Sequence, residues 1–481
     1  MPKEKPHLNL VIIGHIDHGK STLMGHVLVM TGAVSDREAR EMEQTAAELK
    51  DESFKFAFFM DRLAEERKRG ITIDLAFRKF ETANKYFTII DAPGHADFVK
   101  NMITGASQAD AAVLVISGKV GEAEAGISDG GQTREHAFLA KTLGVKQLIV
   151  AVNKMDDKSV NWAENRYNDV KELAKGLLTM VGYDVNTIHF IPISGFQGEN
   201  LINLSDKMPW YKGPYLIEAL DNLSVPEKPT NKPLRIPVQD VYKIKGAGVV
   251  PVGRVETGVI KIKQNVVVMP AEFEGEVRSI EMHHEPREMA EPGDNIGFNI
   301  RNLDIKNVRR GDVVCDTKNR VPVINPTGWF KAQVIIVWHP TALAQGYTPV
   351  VHAHTAQVAC KFTELMAKLD PRSGQVVENN PQFLKVGEAA IVKLAPITKL
   401  CLETYKDIPE LGRFAVRDMA RTVAVGVVLS LEVGGKEEEK PAATAAEKPA
   451  AAKPAGAKPA GEKPAAEKAP AKKAAKKPAK K

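Results

Sequence analysis

Gly14-His15-Ile16-Asp17-His18-Gly19-Lys20-Ser21 follows the β-rich run Leu8 to Ile13 and opens the apolar helical pattern Ser21 to Met30. The string fits G-x-x-x-x-G-K-[ST], and a place between strand and helix is the context such a loop requires. Glycines let backbone N–H groups turn inward around phosphates, the lysine reaches the β and γ oxygens, and the serine hydroxyl can ligate Mg²⁺. Gly14 to Ser21, with Thr22 beside them, are candidate nucleotide-binding residues, and Ser21 is a candidate metal ligand.

Outward from this loop, Tyr86 to Ile90, Ala111 to Ile116, Gln147 to Val152 and Thr187 to Ile191 are further β-rich runs separated by helix-length segments. That alternation predicts an α/β domain over residues 1–225, a mostly parallel sheet with helices on both faces. Ser35 to Arg69 reads as charged helix, with Phe54, Phe56, Phe58 and Phe59 packing it onto the body. A turn-rich linker surrounds Pro226, Pro229 and Pro233. Short strands punctuated by glycines then predict a β-barrel over residues 226–325 and a second over 326–434, with a loop at Asn325-Pro326-Thr327-Gly328 between them.

Apolar residues make up 43% and charged residues 26% of the 481, a soluble globular balance that excludes a wholly disordered or fibrous chain. No run reaches the ~18 to 20 apolar residues of a membrane-spanning helix, and no export signal precedes the first strand, so a cytoplasmic protein without membrane partners is expected. Cys315, Cys360 and Cys401 form no C-x-x-C pair, which argues against a zinc ribbon or disulfide framework. The basic net charge of +6 is local: residues 436–481 hold 13 lysines and six glutamates, whereas residues 1–435 carry 53 basic and 54 acidic groups. A disordered tail of Lys, Ala, Pro and Glu is expected over residues 435–481, serving either as a spacer or as a contact to RNA phosphates.

Chemistry clusters at the strand ends. Thr88-Ile89-Ile90-Asp91-Ala92-Pro93-Gly94 places Asp91 where a P-loop domain needs its second magnesium-side carboxylate, with Ala92, Pro93 and Gly94 turning beside the γ-phosphate. Asn153-Lys154-Met155-Asp156 follows the strand ending at Val152. A carboxylate there accepts from both N1–H and the exocyclic amine of guanine, whereas adenine offers an acceptor and no amine. Ser194, Gly195 and Phe196 complete the base pocket. Hydrolysis needs a group that orients water, for which His95 is placed, and a loop that senses the γ-phosphate and Mg²⁺, for which Thr72 is placed. Together these motifs predict a GTP/GDP-binding GTPase that uses Mg²⁺.

With these motifs stand longer strings: Gly131-Gln132-Thr133-Arg134-Glu135-His136-Ala137, Gly293-Asp294-Asn295-Ile296-Gly297, His339-Pro340-Thr341-Ala342 and Leu411-Gly412-Arg413-Phe414-Ala415-Val416-Arg417-Asp418. Through them the chain resembles, over about residues 5 to 433, the archaeal and eukaryotic elongation factor 1 alpha family, related to bacterial elongation factor Tu. The resemblance implies a GTPase domain and two β-barrels that deliver aminoacyl-tRNA to the ribosomal A site. It implies Ile16 and Ile71 as an apolar gate beside His95. It also implies an aminoacyl-tRNA pocket of Gln239, Asp240, Tyr242, Glu281, His283 and Asn295. A monomer served by a guanine-nucleotide exchange factor is expected, with release or rescue factors as a further candidate cargo.

Two departures from the family pattern stand out: Glu199 where Asp is common, and the Lys/Ala/Pro tail. Read without the resemblance, Glu281-Met282-His283-His284 is a poor chelate because adjacent strand residues face opposite ways. His352 and His354 would share one strand face and pack the barrel. Arg413, Arg417 and Arg421 would form a solvated basic face or touch RNA. Competing functions are a carrier of release factors, the GTPase subunit of sulfate activation and a tail-driven RNA or cytoskeletal scaffold.

Overall fold

A computed structural model describes residues 5–35, 37–38, 40, 56, 60, 76–95, 98–246, 248–282, 285–370, 375–419 and 421–435. Thr72, Ile71, His283, the tail and, apart from a few positions including Phe56, the expected helix from Ser35 to Arg69 lie outside them.

The first domain is one six-stranded sheet built from β1 (His7–Gly14), β2 (Ala76–Glu81), β3 (Tyr86–Asp91), β4 (Ala111–Ser117), β5 (Gln147–Asn153) and β6 (His189–Pro192), in the order β2-β3-β1-β4-β5-β6. All pairs are parallel except β2–β3. The antiparallel edge strand β2 was absent from the sequence reading; the run Ala76-Phe77-Arg78-Lys79-Phe80-Glu81 carries three charges and has a weak apolar signal. The central strands are apolar on both faces because helices cover both. α1 (Lys20–Met30) and α6 (Leu216–Asp221) pack Leu23, Val27 and Leu216 against Leu10, Ile12 and Val113. On the other face lie α2 (Val99–Ser107), α3 (Glu122–Ile127), α4 (Gln132–Thr142) and α5 (Glu164–Val181). Their Met102, Ala137, Leu139 and Val170 bury Val11, Ile13 and Leu114.

The second domain is an antiparallel barrel of β7 (Arg235–Ile244), β8 (Gly248–Arg254), β9 (Asn265–Met269), β10 (Phe273–Met282), β11 (Glu285–Arg287), β12 (Asn295–Ile300) and β13 (Val313–Asp316). Their order is β9-β13-β7-β8-β12-β10-β11, and a further β9–β10 pairing closes the barrel, which leaves short β11 at the end of this sheet. The third domain repeats the device with β14 (Trp329–Ile336), β15 (Val350–Ala353), β16 (Ala356–Leu369), β17 (Val376–Asn379), β18 (Ala389–Pro396), β19 (Arg413–Asp418) and β20 (Arg421–Glu432), closed by β15–β16 pairing. Val323–Ile324 pairs with Leu400–Cys401.

The barrels share an apolar cluster in which Val267, Val313 and Cys315 meet Cys401, Ile408 and Leu411. Beside it the Arg235 guanidinium is buried on Glu403, with Nε donating to Oε1 at 2.9 Å. A buried charge of this kind requires its partner, so the pair helps hold the two barrels together. The third domain in turn extends the core of the first, since Ala415 and Val425 belong to the apolar cluster beneath α2 and α4. No helix among the described residues is long and apolar enough to cross a membrane.

Candidate nucleotide site

Strand β1 hands the chain to α1 through a loop whose backbone needs glycine. Gly14 has φ 142° and Gly19 φ 86°, and a Cβ at Gly14 would strike the Val115 carbonyl while one at Gly19 would strike the Asn153 amide. Lys20, at the start of α1, is buried, and its Nζ donates to the His15 carbonyl at 2.8 Å. Burial lowers its pKa to about 8 against the pull of Asp91 and Asp17, which leaves it a cation at neutral pH. One residue on, Ser21 Oγ donates to Asp91 Oδ2 at 2.7 Å, so hydroxyl and carboxylate meet at the end of β3.

Three histidines, His15 and His18 within this loop and His136 beneath it, are all pushed toward the neutral form. His136 on α4 accepts the Gly14 N–H at Nδ1 (3.2 Å), which puts its own proton on Nε2. Burial drives its pKa well down. His18 has both ring nitrogens near carbonyls, Val115 at 3.2 Å and Glu122 at 3.3 Å; burial and then Lys20 lower its pKa to about 3, so it donates to one of them at a time. Burial and Lys20 lower His15 as well, and its Nδ1 accepts from the Gln132 N–H at 3.4 Å. Gln132 Oε1 accepts from the Ile16 N–H at 3.3 Å. Gln132 and His136 support the loop directly and received no role in the sequence reading; their i, i+4 spacing on one helical face was the available signal.

On the base side, Asn153 joins three loops. Its Nδ2 donates to the His18 carbonyl at 2.9 Å and its Oδ1 accepts from the Gly195 N–H at 2.8 Å. Lys154 is held at φ 63°, the Met155 N–H donates to the Ile193 carbonyl at 3.2 Å, and Asp156 is half-buried. Ser194 Oγ caps the Gln197 N–H at 2.9 Å, and Phe196 stands 44% exposed at the rim. His26 Nδ1 bonds the Gly195 carbonyl at 2.8 Å while its ring stacks on Phe56 at 3.9 Å. Glu199, the departure from the family pattern, ion-pairs with Lys207 at 2.8 Å.

His95 follows Gly94 and is half-buried, its ring 5.8 Å from that of Phe98. A Cβ at Gly94 would meet Lys20 Nζ and the Ile16 backbone, so this turn packs directly on the phosphate loop.

In the second domain the register assembles the proposed tRNA residues. Asp240 pairs with Val252, Val252 with Gly297 and Gly297 with Glu281, one row across four strands. Residues directly opposite share a face, as do residues two apart on one strand. Asp240, Tyr242, Glu281 and Asn295 therefore share one sheet face, with Gln239 in the bulge between Val238 and Asp240. Tyr242 is 51% exposed. Asn295 Nδ2 donates to Asn9 Oδ1 of the first domain at 2.8 Å.

Three family models match the chain: the Elongation factor Tu GTP binding domain over residues 5–223, Elongation factor Tu domain 2 over 248–315, and the GTP-eEF1A C-terminal domain-like family over 329–429. The elongation factor 1-alpha of Hyperthermus butylicus is 57% identical over 433 residues, covering 90% of this chain and 98% of the relative. That of Saccharolobus solfataricus is 56% identical over 429 residues, covering 89% and 98%. The chain belongs to the elongation factor 1-alpha family. It is a translation elongation GTPase that binds guanine nucleotide. The Saccharomyces cerevisiae Ski7 GTPase-like domain shares its fold with a TM-score of 0.73 at 18% identity, covering 88% of this chain and 97% of that one. Translation elongation factor SelB from Methanococcus maripaludis does so with a TM-score of 0.62 at 20% identity, covering 89% and 80%.

Two readings of the elongation factor's third domain are corrected by the structure. Arg413 and Arg417 do not belong to a solvated face: Arg413 Nη1 donates to the Leu143 carbonyl at 3.0 Å and buried Arg417 lies 3.7 Å from Glu135 on α4, whereas Arg421 stays exposed while stacking over Trp338. Thr422 reinforces the contact, its Oγ1 donating to Glu135 at 2.7 Å. The signal for a domain contact was three-dimensional, since neither Leu143 nor Glu135 is near these arginines in sequence. His352 and His354 do not share a strand face, because β15 ends at Ala353 and His354 turns to φ 44°. His354 packs internally as expected, with Nε2 on the Cys401 carbonyl at 3.0 Å and a pKa lowered by burial to about 4.

Proposed function

We propose that this elongation factor, in its GTP-bound form, carries aminoacyl-tRNA to the ribosomal A site, hydrolyses GTP there and leaves with GDP. The observation that carries the reading is one sheet face with Asp240, Tyr242 and Glu281 exposed and Asn295 half-buried at its edge toward the first domain, in a chain with a translational GTPase domain. Those residues, with Gln239 and His283, would hold the aminoacyl end of the tRNA. They offer an aromatic ring for stacking and carboxylates that accept from hydroxyl and amino groups.

In the first domain, the loop Gly14 to Ser21 and Thr22 cradles the phosphates with the backbone N–H groups that His136 and Gln132 do not already hold, and Lys20, still protonated at neutral pH, neutralises the β and γ oxygens. Ser21 and Asp91 form a hard-oxygen donor pair already in contact, which fits Mg²⁺; Thr72 would add a second hydroxyl. When bound, Mg²⁺ draws charge from the phosphate oxygens. Ala92, Pro93 and Gly94 lead the chain into His95, which would orient the attacking water, and Ile16 with Ile71 would be the apolar gate that the family resemblance implies. Asp156 reads the guanine edge, while Asn153, Lys154, Met155, Ser194, Gly195 and Phe196 shape the base pocket. The chain acts on this reading as a cytoplasmic monomer, recharged by a guanine-nucleotide exchange factor; release or rescue factors are the alternative cargo.

The deciding experiment measures whether the protein shields the aminoacyl ester of aminoacyl-tRNA from spontaneous hydrolysis, with a non-hydrolysable GTP analogue and with GDP. Protection by the analogue form alone is expected. Absence of protection in both forms, with normal GTP binding, would overturn tRNA carriage in favour of another cargo. Deleting residues 436–481 should leave protection intact; its loss would move the function to the basic tail.

A further inference from the structure

Glu122, the first residue of α3, stands between two loops of the nucleotide site. Its carboxylate accepts a 2.8 Å hydrogen bond from Lys154 Nζ and lies 3.2 Å from Lys119 Nζ. Its carbonyl faces His18 Nε2 at 3.3 Å. One residue therefore touches both the base-side turn Asn153 to Asp156 and the phosphate loop. Burial works against its charge, yet hydrogen bonds from Lys154, Ser117 and Lys119 hold its pKa down to about 2. It is anionic whenever the protein works.

The segment carrying Glu122 is itself clamped. Arg166 on α5 donates from Nε to the Gly118 carbonyl at 2.6 Å and from Nη2 to the Lys119 carbonyl at 3.0 Å, and pairs with Glu124 at 2.8 Å. The carboxylate of Glu122 is thus presented from a fixed turn, whereas Lys154 is a long side chain on a residue at φ 63°. A free lysine has several rotatable bonds to order on binding, and a fixed anion removes part of that cost beforehand.

We propose that Glu122 is a positioning residue for the guanine nucleotide. By fixing Lys154 and facing His18 it ties the base-side turn to the phosphate loop and lengthens the residence of bound nucleotide. The inference rests on the base-pocket reading above.

The test is the release rate of a fluorescent GDP from the full chain, across a series of salt concentrations. Glu122→Gln should release it about fivefold faster, the size expected for a partly exposed charge-assisted pair. Wild-type release should quicken as salt screens the pair, and the Gln variant should respond less. Glu122→Asp, which keeps the charge, should recover part of the residence. In a Lys154→Gln background, Glu122→Gln should add nothing. Unchanged release in Glu122→Gln, or the same acceleration in both backgrounds, would overturn the proposal. Should Glu122→Gln not fold, Lys154→Gln alone must speed release comparably, and normal release in it would also overturn it. Asp156→Asn run in parallel separates the two readings, since retained guanine preference there would fault the base pocket itself.

Discussion

Asn295 Nδ2 donates to Asn9 Oδ1 at 2.8 Å, a hydrogen bond from the second-domain sheet face that also carries Asp240, Tyr242 and Glu281 to β1 of the GTPase domain. Asn9 also donates to the Gly293 carbonyl at 2.7 Å, and Asp110, which accepts the Asn9 N–H, pairs with Arg254 at 2.5 Å. The first domain thereby uses the same side chain that the proposed pocket needs. In this arrangement one of the two Nδ2 hydrogens of Asn295 is committed to the GTPase domain, and turning it to tRNA means giving up the Asn9 contact.

Replacing Asn9 by Ala should therefore favour tRNA. The substitution removes a competitor for Asn295 worth about 1 kcal/mol, so aminoacyl-tRNA affinity of the GTP-analogue form should rise about fivefold while GDP affinity is unchanged. Titrated ester protection beside GDP binding reads both. Equal tRNA affinity would mean that the Asn9 contact does not compete.

Asp156→Asn tests the guanine assignment. The amide keeps Oδ1 to accept from N1–H, but without the charge, and its Nδ2 meets the guanine amine donor to donor, whereas it can donate to the O2 that replaces that amine in xanthine. With charge-assisted bonds of about 1.5 to 3 kcal/mol each, GTP affinity should fall by roughly 100-fold or more and xanthosine triphosphate should become the better ligand. Competition binding of the two nucleotides decides it.

What the sequence could carry followed from locality. The phosphate loop, Asp91, and Asn153 to Asp156 are short strings at strand ends, so their chemistry is written within a few residues. The closed barrels were legible as class because glycines and short apolar runs recur at strand spacing. The second-domain face is set by register, which a family resemblance could point to and no local pattern could. The roles of Arg413, Arg417 and Thr422 depend on a helix some 280 residues earlier in the chain, where Glu135 waits, and the edge strand β2 is too polar to announce itself. Long-range docking is the part that residue spacing does not encode.

His95→Ala separates binding from chemistry. On the proposed reading His95 acts on the attacking water and the phosphates are held by the Gly14 to Thr22 loop, so GTP affinity should stay within about twofold of wild type. Loss of a water-orienting group costs roughly 100- to 10,000-fold, and ribosome-stimulated hydrolysis should fall by that order. Single-turnover hydrolysis on ribosomes gives the rate directly; a normal stimulated rate would remove His95 from the mechanism.

Glu256 makes the junction of the three domains sensitive to pH. Its side chain is 8% exposed beside Arg254 at 3.6 Å. Burial raises its pKa to about 7 against Arg254, with Glu410 and Asp110 adding to the rise and Arg413 opposing it. Asp110 belongs to the first domain, Arg254 to the second, and Glu410 and Arg413 to the third. A carboxyl whose folded pKa lies above its unfolded value near 4.5 binds its proton more tightly in the folded state. Its contribution to stability is fully present below the unfolded value and is lost as pH rises through about 7. Between pH 5 and 8 the melting temperature should fall by ~2 °C or more relative to Glu256→Gln, whose amide does not titrate. Thermal unfolding of both proteins across that range checks the sign: a wild-type curve that rises with pH against the variant would show that Arg254 and Arg413 outweigh burial and keep the carboxylate ionised.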